Sequence, residues 1–209
     1  MPPTEAMTAP GGPPLVLASG SAVRTRLLAA AGVAHEIVPT DVDEGAVRDR
    51  LLAEDASHRE IAEALAECKA RFVAPARPGA IVLGADQVLS CGGELFEKPA
   101  GLEGVRDHLH RLGDRDHMLH AAVCAVRDGA VVWRHVGDAR LRMRTLSDAF
   151  IENYVDAVGV DACGSVGAYL MEGLGVHLFS EIDGDFFDIL GLPLLPALGF
   201  LREAGVVRS

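Results

Sequence analysis

Short apolar runs alternate along the chain with stretches of helical spacing. The run Leu15-Val16-Leu17-Ala18 predicts a buried first strand, and residues 33–38 predict a second. Residues 22–31 between them predict a helix that Gly32 closes. The small-residue turn Ser19-Gly20-Ser21 joins the first strand to this helix. A strand, a small-residue turn and a helix aim backbone N–H groups at an anion, so this turn is a candidate anion site.

Residues 59–74 predict a helix with one apolar face. Ala62, Leu65, Ala66 and Val73 fall on that face at helical spacing, and Lys69 falls in the same row. A lysine in an apolar row usually extends its ammonium to water. The alternative is that the ammonium points into a cleft.

Residues 80–99 contain the most informative pattern of the chain. An apolar run, Ile81-Val82-Leu83, breaks at Gly84, and Asp86 follows at once. A turn at residues 91–94 predicts a hairpin whose return strand ends on Lys98. We expect Asp86 at the end of a core strand with Lys98 brought back towards it, a pair able to hold a metal and a phosphate. The alternative is a surface carboxylate and a surface ammonium in an ordinary hairpin.

The second half of the chain predicts three further helices and a second hairpin. The helices are expected over residues 102–112, from Ser147 through Tyr154, and after Pro193. Residues 117–126 and 130–145 predict two long strands joined at Asp128-Gly129. His117 and His120 lie on opposite faces of the first of these strands, so we do not expect them to share a metal.

Composition indicates a soluble globular protein. Of 209 residues, 49% are hydrophobic and 23% are charged, which suffices for one domain with two lobes over residues 15–205. We expect residues 1–14 to be a disordered leader without signal-peptide character and residues 206–209 to be a tail. Four scattered cysteines and the absence of a long apolar run favour the cytoplasm and exclude a membrane span.

The net charge of −11 makes wholesale binding to nucleic acid unexpected, but it leaves room for a small phosphorylated ligand. Arg24 lies in the first turn of the predicted helix, where a cation opposes the helix dipole. An anionic partner explains this position better than helix stability does. The alternative is that Ser21 only caps the helix and Arg24 is solvated.

Six segments in this order resemble the Maf family of nucleoside triphosphate pyrophosphatases and together extend from Leu15 to Leu201. They are LVLASGSAVRTRLL, VDE, LAECKA, GADQV, EKP and GAYLMEG followed by GLPL. The resemblance implies an α/β protein with an elongated, largely antiparallel mixed sheet flanked by helices, and two lobes with a central cleft, as in the related inosine-triphosphate pyrophosphatases. It also implies cleavage of a nucleoside triphosphate between the α- and β-phosphates, a step that cleanses the nucleotide pool.

The resemblance also implies roles for individual residues. Asp86 matches the family's proposed catalytic base, and Glu44 and Asp86 match acidic positions associated with a Mg²⁺ or Mn²⁺ ion. The matches to its substrate- and phosphate-binding groups are Ser19, Arg24, Lys69, Gln87, Lys98 and Glu172.

Two departures bear on the substrate. Val23 replaces one arginine of the family's first loop, and Gln87 replaces the usual threonine after GAD. Both resemble the branch that acts on 7-methyl-GTP, whereas GAYLMEG resembles the general pattern, so the preferred base stays open. Alternatives are a nucleotide-binding regulator of septum formation and an enzyme of the inosine-triphosphate pyrophosphatase type. A homodimer is the default expectation for such an enzyme.

Overall fold

A seven-stranded mixed sheet flanked by helices forms the framework of the chain in the computed structural model, which describes residues 6–209. Its strands lie in the order β2-β1-β3-β5-β6-β7, and β4 pairs with β3. Strand β1 is parallel to both β2 and β3, whereas β3–β4 and β6–β7 are antiparallel pairs. The strands are β1 Leu15–Ala18, β2 Glu36–Ile37, β3 Ile81–Cys91, β4 Glu94–Phe96, β5 Asp116–Arg127, β6 Ala130–Met143 and β7 Phe179–Asp183.

Five helices lie where the apolar pattern predicted them, whereas the helices Glu44–Ala53 and Phe186–Ile189 were not predicted. The helices are α1 Ala22–Ala30, α2 Glu44–Ala53, α3 His58–Val73, α4 Gly101–Leu112, α5 Asp148–Val158, α6 Phe186–Ile189 and α7 Leu194–Glu203. Short 3₁₀ turns lie at Ala74–Ala76, Gly159–Gly164 and Leu174–Leu178. The second strand is shorter than predicted, because only two residues of the apolar stretch 33–38 pair with β1. No helix within residues 6–209 is both long and apolar enough to cross a membrane.

The chain divides into two compact units. The first comprises the described residues up to Asp86 together with Ala121–Gly137 and Phe186–Ser209. One cluster of its core joins apolar side chains from β1, α1, β3, β5, α7 and the residues around them. The second unit comprises Gln87–His120 and Asp138–Asp185, including β4, α4, α5 and β7.

Both chain ends of the first unit take part in its packing. The backbone N–H of Met7 donates to the carbonyl of Gly32, and that of Ala9 donates to the carbonyl of Val206. Val206 and Val207, placed by the sequence in a tail, are 1% and 4% exposed and lie in the core cluster. The first five residues of the predicted leader lie outside the described part of the chain.

Strand β3 does not end at Gly84, and that expectation was wrong. The strand runs without interruption from Ile81 to Cys91, so Asp86 lies in its middle. Gly84 is needed there because helix α3 crosses the strand closely. A Cβ at this position would lie 2.0 Å from the carbonyl oxygen of Ala66. The glycine therefore permits close helix–strand packing rather than a change of direction.

Both predicted hairpin turns are confirmed. Gly92 and Gly93 join β3 to β4 with φ values of 60° and 87°, and Cys91 pairs with Glu94 across the turn. Asp128 and Gly129, with φ values of 49° and 82°, join β5 to β6. Two consecutive positive φ values are the conformation that tight two-residue hairpins require.

Candidate active site

Helix α3 carries its only lysine on its buried face. A capping box starts the helix: Ser57 Oγ accepts from the N–H of Glu60, and the Glu60 carboxylate accepts from the N–H of Ser57. The buried face consists of Ile61, Ala62, Leu65, Ala66, Lys69, Ala70 and Val73. Lys69 is only 6% exposed, so its ammonium does not extend to bulk water. The expectation that the ammonium extends to water is therefore wrong.

The Lys69 ammonium is shared by two carboxylates. Its Nζ lies 2.6 Å from Oδ1 of Asp86 and 2.7 Å from Oε1 of Glu44. Asp86 is 7% exposed in the middle of β3, whereas the Glu44 side chain is half exposed at the start of α2. Asp43 fixes that helix start, because its Oδ1 accepts a 2.9 Å hydrogen bond from the N–H of Ala46. Residues from three elements thus meet at one cation.

Burial raises the pKa of the Asp86 carboxyl above its ordinary value, because a charge in a low-dielectric site loses hydration. The nearby charges of Lys69 and Arg24 oppose this rise, and the Glu44 carboxylate adds to it. The pKa of Asp86 therefore results from burial, which raises it, and from two nearby cations, which lower it. A carboxylate with such a perturbed pKa is a candidate general base.

Arg24 connects three separate segments of the first unit. Its Nε donates to the carbonyl of Gly191 at 2.7 Å, and its Nη1 donates to Ser19 Oγ at 3.0 Å and to the carbonyl of Ala85 at 2.9 Å. Ser19 follows β1 directly, and Ala85 directly precedes Asp86. The alternative of a solvated Arg24 is wrong, since the residue is 9% exposed.

The charge of Arg24 is balanced locally. Burial lowers the pKa of its guanidinium, and the carboxylates of Asp86 and Glu44 oppose that effect. The other half of that alternative is correct: Ser21 is the N-cap of α1, because its Oγ accepts from the N–H of Arg24 at 3.4 Å. The turn after β1 therefore supplies the capping serine, and the first turn of α1 supplies the cation, on which the carboxylates of Asp86 and Glu44 act.

Not every predicted site residue belongs to this group. Ser19, Arg24, Glu44, Lys69 and Asp86 lie in the first unit, and the structure brings them together around the ammonium and the guanidinium described above. The other three lie in the second unit and are Gln87, Lys98 and Glu172. Of these, Gln87 is partly buried, whereas Lys98 and Glu172 are exposed.

The two histidines of β5 have separate hydrogen-bond partners. His117 Nε2 and the Tyr169 hydroxyl form a buried hydrogen bond of 2.9 Å. His120 Nδ1 lies 2.7 Å from Oδ1 of Asp138. Within residues 6–209, no group of three or more His, Cys, Asp or Glu side chains is arranged to hold a metal ion by itself.

Two functional groups of this site were not predicted, because they are backbone carbonyls. The carbonyls of Ala85 and Gly191 accept from Arg24 and fix its guanidinium beside Asp86. A carbonyl group has no signature in a sequence. The sequence marked the second segment only through the GLPL motif, which begins at Gly191; in the structure this glycine has φ +88°, where glycine is favoured.

Known proteins resemble this chain over nearly its whole length. The family model described as "Maf-like protein" matches residues 14–204. The chain is 50% identical over 92% of its length to a 7-methyl-GTP pyrophosphatase of Mesorhizobium japonicum, covering 97% of that protein. It is 51% identical over 93% of its length to a nucleoside triphosphate pyrophosphatase of Nitrobacter hamburgensis, covering 95% of that protein. A 7-methyl-GTP pyrophosphatase of Brucella abortus is 47% identical over 90% of the chain and is covered over 95% of its own length. The chain belongs to the family of Maf-like proteins.

Proposed function

We propose that this protein is a nucleoside triphosphate pyrophosphatase, a hydrolase of acid anhydrides that cleanses the nucleotide pool. Relatives about half identical over nearly the whole chain carry the names nucleoside triphosphate pyrophosphatase and 7-methyl-GTP pyrophosphatase. The observation that carries the proposal is the buried Lys69 ammonium shared by the carboxylates of Asp86 and Glu44. Buried charges in this arrangement are typical of a catalytic site.

Asp86 is the proposed general base. It takes a proton from a water molecule, whose oxygen attacks the α-phosphorus of the nucleotide. The bond from that phosphorus to the bridging oxygen breaks, and pyrophosphate leaves with the electron pair. The products are the nucleoside monophosphate and pyrophosphate. The raised pKa of Asp86 supports this role, because a base with a higher pKa accepts the proton of the attacking water more readily.

The cations of the site offset the charge of the triphosphate. Arg24 and Lys69 lie beside Asp86 in the first unit, and Ser19 supplies a hydroxyl bound to Arg24. Positive groups close to the leaving pyrophosphate stabilise the charge that develops on it. The family resemblance predicts that Gln87, Lys98 and Glu172 also bind substrate.

The donor set of the site fits a divalent cation that arrives with the nucleotide. The carboxylates of Glu44 and Asp86 already converge on one positive group, Lys69 Nζ. Mg²⁺ is commonly held by one or two carboxylates together with substrate phosphates and water, so two carboxylates suffice. Glu44 and Asp86 are the residues that would hold Mg²⁺ or Mn²⁺, and the bound ion would polarise water and neutralise phosphate charge.

Product analysis by chromatography tests the proposal. The panel contains UTP, dTTP, CTP, GTP, 7-methyl-GTP and other modified nucleotides with Mg²⁺ or Mn²⁺, and the proteins are wild type and Asp86→Asn. The matched control is Asp107→Asn, which changes an exposed carboxylate paired with Arg111 on α4. We expect monophosphate and pyrophosphate from wild type and the control but not from Asp86→Asn.

Two outcomes would contradict the proposal. Release of inorganic phosphate and a diphosphate would mean that a different bond is cleaved. Nucleotide binding without turnover of any substrate would favour the regulator of septum formation. The best substrate of the panel also decides between the 7-methyl-GTP branch and the general branch, for which Val23 and Gln87 are the residues to exchange.

A further inference from the structure

We propose that Lys69 occupies, in the nucleotide-free protein, the position that a divalent cation takes in the active complex, so that metal binding depends on the nucleotide. This inference rests on the proposed function for the identity of the ligand. Its basis is geometric. A single ammonium lies within 2.7 Å of the two carboxylates that would hold the metal, and it approaches both at ion-pair distance.

Charge balance explains why free metal is a weak competitor for this site. Two carboxylates, Asp86 and Glu44, face two cations, Lys69 and Arg24, so the formal charge of the group is zero. Asp86 and Lys69 are both nearly inaccessible to water, where an unpaired charge would be strongly destabilising. A free divalent ion must therefore displace a buried ammonium and leave it without a partner.

A triphosphate removes this obstacle. Its oxygens offer Lys69 a more negative partner than the two carboxylates, and the flexible four-carbon stem of lysine allows Nζ to turn towards it. Asp86 and Glu44 are then vacated together and can accept the ion that accompanies the nucleotide. Glu44 lies on the accessible side, because every residue of α2 is at least partly exposed.

The first consequence is that deleting the ammonium creates a metal site. We titrate Mn²⁺ calorimetrically into metal-stripped protein without nucleotide, because Mn²⁺ shares the preference of Mg²⁺ for carboxylate and water oxygen. Lys69→Met keeps an unbranched side chain on the buried face of α3. Its Mn²⁺ affinity should exceed that of wild type by at least tenfold, and adding Asp86→Asn to Lys69→Met should abolish the gain.

The matched control removes a different bridging cation from the same unit. Arg134 contacts Glu63 at 3.4 Å and Glu67 at 2.8 Å, but these three side chains are 48%, 33% and 25% exposed, so none of them is buried as Lys69 is. Arg134→Met changes the net charge as Lys69→Met does, and its Mn²⁺ affinity should equal that of wild type. Lys69→Gln is measured in parallel, so that a folding defect of Lys69→Met, checked by circular dichroism, does not prevent a decision.

A second measurement uses only the wild type. With a non-hydrolysable nucleoside triphosphate present, wild type should bind Mn²⁺ at least tenfold more tightly than the free analogue does. The proposal is overturned if the Lys69 variants bind Mn²⁺ no more tightly than wild type, or if Arg134→Met shows the same gain. Neither measurement involves turnover. Metal affinities that do not change as expected would overturn this inference without contradicting the proposed pyrophosphatase activity. If the protein shows no such activity, the metal affinities can still be measured and compared.

Discussion

Gly84 of strand β3 and Ala66 of helix α3 are in contact so close that no side chain fits between them. A Cβ on Gly84 would lie 2.0 Å from the carbonyl oxygen of Ala66 and 2.6 Å from the backbone nitrogen of Ala70. Ala66 precedes Lys69 by one helical turn, and Gly84 precedes Asp86 on the same face of its strand. The separation of helix and strand therefore determines whether the ammonium can reach the carboxylate.

Gly84→Ala should both destabilise the protein and reduce its activity. Backbone atoms must move to admit the methyl group, and overpacking of this kind costs about 1–3 kcal/mol of unfolding free energy. Urea denaturation measures this loss, and kcat should fall because Lys69 and Asp86 move apart. Gly199→Ala is the control, because open space surrounds that position among the described residues and alanine favours its helix. Wild-type stability and kcat in Gly84→Ala would contradict the close-packing argument.

Arg24→Lys should lower kcat at least tenfold although it preserves the charge. A lysine ammonium cannot reproduce the planar fork that reaches Gly191, Ser19 and Ala85 together, so the segment carrying Asp86 loses an anchor. Steady-state kinetics with the best substrate measures the change. The exposed Arg26→Lys on the same helix serves as the control. A rise in KM with unchanged kcat would instead assign Arg24 only to phosphate binding.

The acid limb of the pH–rate profile should lie above the ordinary carboxyl range. Asp86 must be ionised to act as a base, so kcat/KM falls as the pH drops through its pKa. Burial raises that pKa, and the half-maximal rate should therefore occur above about pH 4. Arg24→Met should move the limb to higher pH, because the guanidinium favours the carboxylate. A limb that stays in place in this variant would contradict the assignment to Asp86.

Lys98→Ala should raise KM for the nucleotide about tenfold without changing stability. Lys98 is exposed, and its side chain has no ion-pair partner among the described residues, so its removal should cost the folded chain little stability. Its family resemblance implies phosphate binding, which its free ammonium can provide. Initial rates and thermal unfolding measure the two effects. An unchanged KM would remove Lys98 from the substrate site and leave the cations of the first unit to bind the phosphates.

His117 should make the protein less stable as the pH falls from about 6.5 to 4. Burial lowers its pKa from 6.5 to about 4, so the unfolded chain binds a proton in this interval before the folded chain does. The contribution of neutral His117 to the free energy of unfolding is complete above pH 6.5, and it decreases by up to about 3 kcal/mol as the pH falls towards 4.

The comparison that isolates this effect uses His117→Gln, which does not titrate and can still form a hydrogen bond with Tyr169. Thermal unfolding between pH 4 and 7 should depend less on pH in this variant than in wild type. His110→Gln, which changes a half-exposed histidine of the second unit, should follow wild type. Equal pH dependence of wild type and His117→Gln would show that His117 is not the group responsible.

The spacing of apolar residues predicted most of the strands and helices, because this spacing reflects which face of each element packs against the core. The bounds of β1 agree with the apolar run to the residue, and α3 begins and ends within one residue of its prediction. The end of a strand at Gly84 was predicted wrongly. A glycine that turns the chain and a glycine that admits a neighbouring helix look the same in a sequence, since the helix that passes over it is distant along the chain.

In the candidate site, too, some features follow from the sequence and others only from packing. The chain by itself determined which chemical groups are available: one lysine in an apolar row, one arginine at a helix start and one aspartate two residues after a glycine. The alternatives of a solvated Arg24 and an outward Lys69 were excluded only by tertiary structure, because α3, β3 and the segment at Gly191 had to pack before those cations had partners. Charge pairing inside a protein depends on distances of a few ångströms between residues far apart in sequence, and packing alone determines these distances.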